Sequence, residues 1–338
     1  MSKGDIPISN LVMSQVQATR VLHFTGGLIC LPLEEGGWAL GPIGASQEGL
    51  SFLSPMPEGQ VHMLARQAGT YFVGTKVVYK DSGPERDECW YCHIGNTGAT
   101  EQSADTWSAI AFRASQAKDE STAELARYMS ICMRSASRRL CEISDLHHEQ
   151  LRWALMRGRD SGERFSNTAL YDLHLAIHSF LAELSSTRDY LSILAARRVG
   201  APKHVDSLRH LRNWLGTPTG SAANADGMIV LILDALGTEA RMGWLRRMTK
   251  LRNQVTHQRP MGADPLAGAL RFQRVATASG LLPQIRITPW SAEEIAEGED
   301  PFIEILRFWL GMEALAHGCT KFMDYPAEHP HFFAADLQ

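Results

Sequence analysis

The sequence predicts an α+β fold, in which a mostly antiparallel β domain is followed by an all-α helical bundle. Between residues 18 and 113, short runs of β-branched and aromatic residues alternate with turns that contain glycine, proline and serine. This alternation is typical of strands. After residue 116, apolar residues recur at three- and four-residue steps, as they do in packed helices. With 338 residues, of which 44% are hydrophobic, the chain is long enough for two domains and a sizeable core.

These changes of pattern divide the chain into a β-rich accessory domain at residues 1–115, linking helices at 116–160 and a helical bundle at 161–338. The first part carries 7 basic and 11 acidic side chains, and the other two together carry 26 of each. Because no part has a large excess of positive charge, the chain is not a general binder of polyanions. Any affinity for nucleic acid must therefore be local.

The accessory domain contains several short runs with strand character. Strands are predicted at residues 20–24, 28–31, 60–65 and 70–79. Residues 89–93, Cys-Trp-Tyr-Cys-His, contain a C-x2-C pattern that could be half of a zinc site or a haem attachment site. No second C-x2-C pattern lies at a suitable distance, so we interpret these residues as a strand with alternating burial. No metal and no cofactor is predicted.

The linking region is a run of helix-forming residues. No proline or glycine occurs from residue 117 to residue 156, and a run of this length predicts two helices or one broken helix. His147 and His148 are adjacent and point about 100° apart on a helix, so they are poorly placed to share one metal ion. We interpret them as part of a solvated face. Residues 158–162, with glycine at both ends, predict a hinge.

The bundle contains several segments with apolar stripes. Helices are predicted at residues 169–199, 203–215, 244–257, 265–280 and 301–322, and an extended segment at 281–289. Residues 228–236 are apolar on nearly every side and fit either a buried strand or the innermost helix, and their length favours the helix. On the first helix, Glu183, Arg188 and Asp189 either orient residues of a site or form a solvated face with local ion pairs. The solvated face is the preferred interpretation.

The helix at 244–257 combines a buried stripe with a basic surface. From Arg241 to Arg259 there are six Lys or Arg residues and no acidic residue. Thr238 is the predicted N-cap. Pro260 and Gly262 cannot continue the helix, so His257 lies in or just after its last turn.

Three side chains at this end of the helix suit phosphodiester chemistry. Arg252 is a permanent cation with a planar fork that fits a phosphate, and His257 can transfer a proton near neutral pH. Asn253 lies four residues before His257 and so shares its face. Arg252 and His257 are about 140° apart on an ideal helix, so we expect them to converge only if the last turn loosens or a second copy completes the site. The alternative is that both side chains only interact with the helix dipole.

Residues 252–257, Arg-Asn-Gln-Val-Thr-His, resemble the R-x4-6-H signature of HEPN domains, in which the residue after the arginine is typically polar. The resemblance covers roughly residues 165–325, where the order of the helices is also similar to that family. It implies a HEPN-like bundle. Many HEPN proteins with an intact motif are metal-independent ribonucleases of toxin–antitoxin and antiviral systems, and they act as dimers whose two motifs share one cleft. Others have no known nuclease activity.

The resemblance leads to specific expectations for the site. Arg252, His257 and Asn253 would be catalytic, and Lys250 and Arg259 would contact the substrate. The partners would be RNA, a second copy of the chain and an inhibitor or activator protein, with the accessory domain as a sensor or partner-binding module. The alternative is a non-catalytic module that binds nucleotide, RNA or a protein partner.

The expected compartment is the cytoplasm. Residues 1–10 lack the basic and apolar regions of a signal peptide, and no run of apolar residues approaches the length of a membrane span. The six cysteines are too few and too scattered for a disulfide framework.

Overall fold

A computed structural model describes most of the chain. The described residues are 18–33, 36–41, 55–79, 88–95, 101–257, 261, 268–288 and 300–328. They form an α+β structure in which an antiparallel five-stranded sheet is followed by a mainly helical region, so the predicted fold class is confirmed. Arg259, one of the two predicted substrate contacts, lies outside the described residues.

The N-terminal sheet has the strand order β3-β2-β1-β4-β5, and all its neighbours are antiparallel. Its strands are β1 (Ala18–Phe24), β2 (Ile29–Pro32), β3 (Trp38–Gly41), β4 (Phe72–Tyr79) and β5 (Glu88–Cys92). In β5 Cys89 is exposed and Cys92 is buried, which confirms the interpretation of this segment as a strand with alternating burial.

One predicted strand is wrong. Residues 60–65 belong to helix α1 (Glu58–Gln67), which lies between β3 and β4. The buried side chains of α1 are Val61, Leu64 and Ala65, at three- and four-residue spacing. The helical period therefore decides the structure here, although the segment is short and is flanked by strands.

The linking region folds as a single long helix rather than two. Helix α2 (Ser103–Gln116) ends before a turn at Lys118, whose φ is 62°, and α3 (Glu120–Met156) then runs for 37 residues, or about 55 Å. The prediction of a broken helix is wrong because α3 has supporting neighbours along its length. It contacts α2, the sheet and the helix that follows it.

The prediction that His147 and His148 form a solvated face is also wrong. His147 is 0% exposed and His148 is 8% exposed. Nδ1 of His148 lies 2.8 Å from the carbonyl oxygen of Gly27, in a tight turn between β1 and β2. Gly27 has a φ of +77°, and a Cβ there would lie 2.8 Å from the carbonyl oxygen of His147. The turn thus packs directly on α3, against the backbone of His147 and the imidazole of His148.

In the described part of the C-terminal region there are five more α-helices. They are α4 (Leu170–Arg198), α5 (Leu208–Leu215), α6 (Gly227–Leu236), α7 (Trp244–His257) and α8 (Pro301–Thr320). Helix α6 confirms the helical interpretation of residues 228–236. Thr238 is not the N-cap of α7, because its hydroxyl accepts a hydrogen bond from the backbone nitrogen of Arg241 in a turn that precedes the helix.

A small antiparallel sheet packs with these helices. Its strand order is β6-β7-β8, with β6 (Arg164–Phe165), β7 (Leu270–Thr277) and β8 (Gly280–Ile287). The predicted helix at 265–280 is wrong, because Leu270 and Phe272 are buried while Arg271 between them is exposed. This period of two is that of a strand with one buried face. The extended segment predicted from residue 281 is confirmed by β8.

The core is continuous from the N-terminal sheet to the helices. Its largest fully buried side chains include Phe24 of the sheet, Trp107 of α2, Phe180 of α4 and Trp309 of α8. In the part of the chain that the structure describes, no helix is both long enough and apolar enough to cross a membrane.

Candidate functional site

Helix α7 is fixed to the bundle by its apolar side. Leu245, Met248, Leu251 and Val255 are buried, as their spacing predicts, and α7 contacts α4, α6 and α8. Helix α8 crosses α7 closely, because a Cβ on Gly311 would lie 2.7 Å from the ring of Trp244. Packing on three sides leaves the basic side of α7 facing outward.

Arg252, Asn253 and His257 meet within one chain. Nη1 of Arg252 donates a hydrogen bond to Oδ1 of Asn253 over 3.2 Å and lies 3.3 Å from Nε2 of His257. Helix α7 is regular through His257, so neither a loosened turn nor a second copy is needed, contrary to the expectation from helix geometry. The side chain of Arg252 is long enough to extend along the helix and bring its guanidinium group to the imidazole of His257, although the two residues lie about 140° apart around the helix axis.

This contact defines which atom is the acceptor. Arg252 can only donate hydrogen bonds, so Nε2 of His257 is the acceptor in it. A neutral imidazole held beside a permanent cation can take a proton from a nearby hydroxyl. The group is solvent-accessible, since Asn253 and His257 are exposed and Arg252 is partly exposed.

A groove of about 710 Å³ adjoins the motif, between α4, α5, α7 and the end of α6. Its walls carry five guanidinium groups, those of Arg188, Arg209, Arg212, Arg246 and Arg252. Among the described residues that line it, Asp189 is the one that carries a carboxylate. The groove is therefore strongly cationic, and Arg252 belongs both to the groove and to the motif.

An arginine and an aspartate on α4 fix the three helices around the groove. Arg188 donates from Nε and Nη2 to the two carboxylate oxygens of Asp189, at 3.0 and 2.9 Å, and from Nη1 to the hydroxyl of Thr249 on α7, at 2.9 Å. Oδ1 of Asp189 also accepts a hydrogen bond from the backbone nitrogen of Leu208, at the start of α5. We call Arg188, Asp189 and Thr249 the brace.

The brace contains the local ion pair predicted for Arg188 and Asp189. The predicted solvated face is wrong here, because Arg188 is only 15% exposed and reaches the motif helix. Glu183 does not belong to the brace. Its carboxylate lies by Cys132 of α3, where burial, followed by this carboxylate, raises the pKa of the thiol to about 12. Glu183 therefore does not orient Arg252 or His257.

The other predicted substrate contact on the described part of α7 is Lys250. It is exposed and lies three residues before Asn253 and seven before His257, so the three side chains form one row along the helix. Arg247 lies three residues before Lys250 but faces α8, where its Nε donates to Glu304 over 2.7 Å. The basic side of α7 is thus divided between substrate-accessible and structural positions.

Sequence reasoning missed three arginines of the groove, namely Arg209, Arg212 and Arg246. Arg209 and Arg212 are three residues apart on α5, and Arg246 lies on α7 one residue before Arg247. The basic character of these segments is visible in the sequence. Their convergence depends on how α5 packs against α4, which no local pattern predicts.

A second cavity of about 840 Å³ lies between α1, β4 and α8. The ring of Phe72 is at its centre and contacts the rings of Phe24, His62 and His93, at centroid distances of 5.7, 5.1 and 5.4 Å. Burial, and then the neighbouring His62, lower the pKa of His93. This lining is aromatic and carries fewer cations than the groove.

Comparison of the chain with family models, with curated proteins and with solved structures gives no match in any of the three. Within the described ranges, no three His, Cys, Asp or Glu side chains are placed to hold a metal ion together.

Proposed function

We propose that this chain is a metal-independent endoribonuclease of the HEPN type, with Arg252 and His257 as its catalytic residues. The observation that supports the proposal is the 3.3 Å contact between Nη1 of Arg252 and Nε2 of His257, at the rim of a groove lined by arginines. In a protein where these residues had only a structural role, they would be dispersed or held in ion pairs. Among the residues that the structure describes, neither is the case.

Arg252 has donors left for a phosphate. Nη1 faces Asn253 and His257, while Nε and Nη2 make no hydrogen bond within the described residues. These two groups form one edge of the guanidinium fork, which matches two oxygens of a phosphodiester. Asn253 holds the other edge in place.

The reaction needs one proton acceptor and one cation. When RNA binds, Nε2 of His257 gives up its contact with Nη1 of Arg252 and takes the proton of a ribose 2′-hydroxyl, and the 2′ oxygen attacks the phosphorus. The bond from phosphorus to the 5′ oxygen breaks, and the imidazolium returns the proton to that leaving oxygen. The products are a 2′,3′-cyclic phosphate and a 5′-hydroxyl. Arg252 stabilises the charge that develops on the phosphate oxygens.

Other parts of the proposal rest on the resemblance of residues 252–257 to the HEPN signature. We include Lys250 and Arg259 as contacts to RNA, a homodimer formed through the helical bundle, and an inhibitor or activator protein that controls the activity. The proposed setting is a cytoplasmic toxin–antitoxin or antiviral system. The alternative is a non-catalytic module that binds RNA, a nucleotide or a protein at the same surface.

The test is cleavage of a defined RNA in the presence of EDTA. We expect wild type to cleave, and His257→Ala and Arg252→Gln each to lower kcat/KM by about 100-fold or more. Arg127→Gln, on the exposed face of α3, is the matched control for the loss of one surface cation. Cleavage that continues unchanged in both site variants would contradict the proposal. Binding of RNA without cleavage by wild type would favour the non-catalytic alternative.

A further inference from the structure

We propose that the groove binds the phosphate backbone of the RNA next to the cleaved bond, with Arg209 and Arg212 of α5 as a second phosphate subsite. This inference rests on the proposed function, since it assigns the scissile phosphate to Arg252. It adds a specific surface on another helix and predicts that the enzyme prefers substrates long enough to reach it.

The arginines of the groove differ in whether their guanidinium groups already have partners within the protein. Arg188 is paired with Asp189 and bonded to Thr249. Arg246 points its two terminal nitrogens at the carbonyl oxygens of Gly237 and Thr238, at 3.5 and 3.3 Å. Both side chains therefore hold the frame of the groove.

Arg209 and Arg212 have no such role. Both are exposed, and neither forms an ion pair or a side-chain hydrogen bond within the described residues. They lie three residues apart, so they project from the same face of α5, and Asn213 lines the groove beside them. Their guanidinium forks are thus open to a ligand, and phosphate is the group that such forks bind in two-point contact.

The floor of the groove suits a nucleic acid strand rather than an isolated anion. Leu208 and Leu236 contribute apolar surface between the cationic walls. Along α7 the arginines at 246 and 252 are about 9 Å apart, which gives the cationic surface length in one direction. A single-stranded RNA presents phosphates along one side and base faces along the other, so both parts of the lining have a counterpart.

The position of the groove relative to the motif predicts a dependence on substrate length. A dinucleotide places its only phosphate at Arg252 and has none left for α5. A longer RNA places a neighbouring phosphate at Arg209 and Arg212. We therefore expect wild type to use an oligonucleotide with a higher kcat/KM than a dinucleotide.

Binding is measured first, by fluorescence anisotropy with a labelled single-stranded RNA oligonucleotide and full-length protein. The protein carries His257→Ala so that the RNA stays intact. Adding Arg209→Gln and Arg212→Gln should raise Kd by about tenfold or more. It should also reduce the slope of log K against log salt by about 0.7, since the two arginines bind one phosphate and each neutralised phosphate of a single strand contributes about 0.7.

The matched control adds Arg127→Gln and Arg139→Gln on α3, which remove two exposed cations elsewhere. Urea unfolding midpoints show whether each variant is folded. An equal Kd for the groove variant and the control overturns the subsite. So does a synthetic polyglutamate that competes as well as RNA at equal charge, because the subsite would then bind carboxylates rather than phosphates.

Kinetics separate the subsite from the nuclease proposal. In the double arginine variant with His257 restored, the preference for the oligonucleotide over the dinucleotide should largely disappear. An equal loss on both substrates would overturn the subsite, because it would mean that α5 affects the catalytic pair itself. If wild type cleaves neither substrate but the double variant still loses RNA binding, the subsite stands and the nuclease proposal fails.

Discussion

Arg188 on α4 donates a hydrogen bond to the hydroxyl of Thr249 on α7, over 2.9 Å. The arginine is only 15% exposed and is paired with Asp189, which in turn accepts a bond from the first residue of α5. Arg188 and Asp189 together thus connect the motif helix α7 to α4 and α5.

Replacing Thr249 by valine should test the brace. The substitution keeps the shape of the side chain but removes the acceptor for Arg188, so we expect a loss of about 1 to 2 kcal/mol in the free energy of unfolding. Urea denaturation measures it. Thr256→Val is the matched control, since Thr256 lies on the same helix and makes no side-chain hydrogen bond within the described residues. Equal losses in the two variants would mean that the brace contributes nothing specific.

Replacing Glu304 by glutamine should weaken the contact between α7 and α8. Its carboxylate is 8% exposed, accepts a hydrogen bond from Arg247 over 2.7 Å and lies 3.5 Å from Arg307. The two arginines are more exposed than the carboxylate, which lowers the cost of losing their partner. We expect a loss of about 1 to 2 kcal/mol in the free energy of unfolding.

The control for Glu304 is Glu142→Gln, which breaks an exposed pair with Arg139. Such surface pairs contribute less than about 1 kcal/mol. If the two substitutions cost the same in urea denaturation, the ion cluster does not hold α8 on α7.

The sequence predicts the parts of the site that depend on local pattern. The apolar stripe of α7 and the positions of Arg252 and His257 follow from periodicity and spacing. The contact between these two residues does not, because helix geometry gives the directions of the Cβ atoms and not the reach of an arginine side chain. The groove is harder to predict than this contact. Arg209 lies more than 40 residues before the motif, and it comes close to the motif only because of the way α5 packs.

The errors in the predicted fold also arise where a local pattern is ambiguous or where the structure depends on packing between distant residues. Residues 60–65 and 265–280 are short segments in which strand and helix periods both fit a few apolar residues. His147 lies on the helix it was predicted to lie on, but its burial depends on residues far away in the chain. Its ring packs edge-on against Phe302 of α8, with centroids 5.1 Å apart.

His147 should make the protein less stable in acid. Burial, and then the charge of His148, lower the pKa of its imidazole to about 3 from 6.5, and neither ring nitrogen has a partner within the described residues. Between these pH values the unfolded state binds a proton that the folded state does not. The free energy of unfolding therefore falls as the pH drops below 6.5.

His147→Phe removes this effect while keeping an aromatic ring against Phe302. Relative to wild type, the variant should gain about 2 kcal/mol in the free energy of unfolding between pH 7.5 and pH 5, since each pKa unit corresponds to about 1.4 kcal/mol. Urea denaturation at several pH values measures the gain. His204→Phe, at an exposed position, is the control for replacing a histidine. A constant difference between variant and wild type across this range would contradict the prediction.

Glu313 on α8 should make the protein less stable as the pH rises, which is opposite to the effect of His147. Its carboxyl group is 2% exposed. Oε2 accepts a hydrogen bond from the backbone nitrogen of Ser103, at the start of α2, over 3.0 Å. Burial raises the pKa of this group to about 7 from 4.5, and the hydrogen bond from Ser103 offsets part of the rise. Between these pH values the folded state holds a proton that the unfolded state has lost, so the free energy of unfolding falls as the pH rises from 4.5 to 7.

Glu313→Gln keeps the acceptor for Ser103 and removes the charge. The advantage of the variant over wild type should grow from pH 4.5 to pH 7, reach about 3 kcal/mol and stay constant above pH 7. Urea denaturation at pH 5, 6, 7 and 8 measures it, with Glu149→Gln, an exposed position on α3, as the control. Parallel stability curves for wild type and Glu313→Gln would mean that the carboxyl group is ionised in the folded state at every pH tested. The effect of His147 overlaps this range below pH 6.5 and has the opposite sign, so measuring each variant against wild type separates the two buried groups.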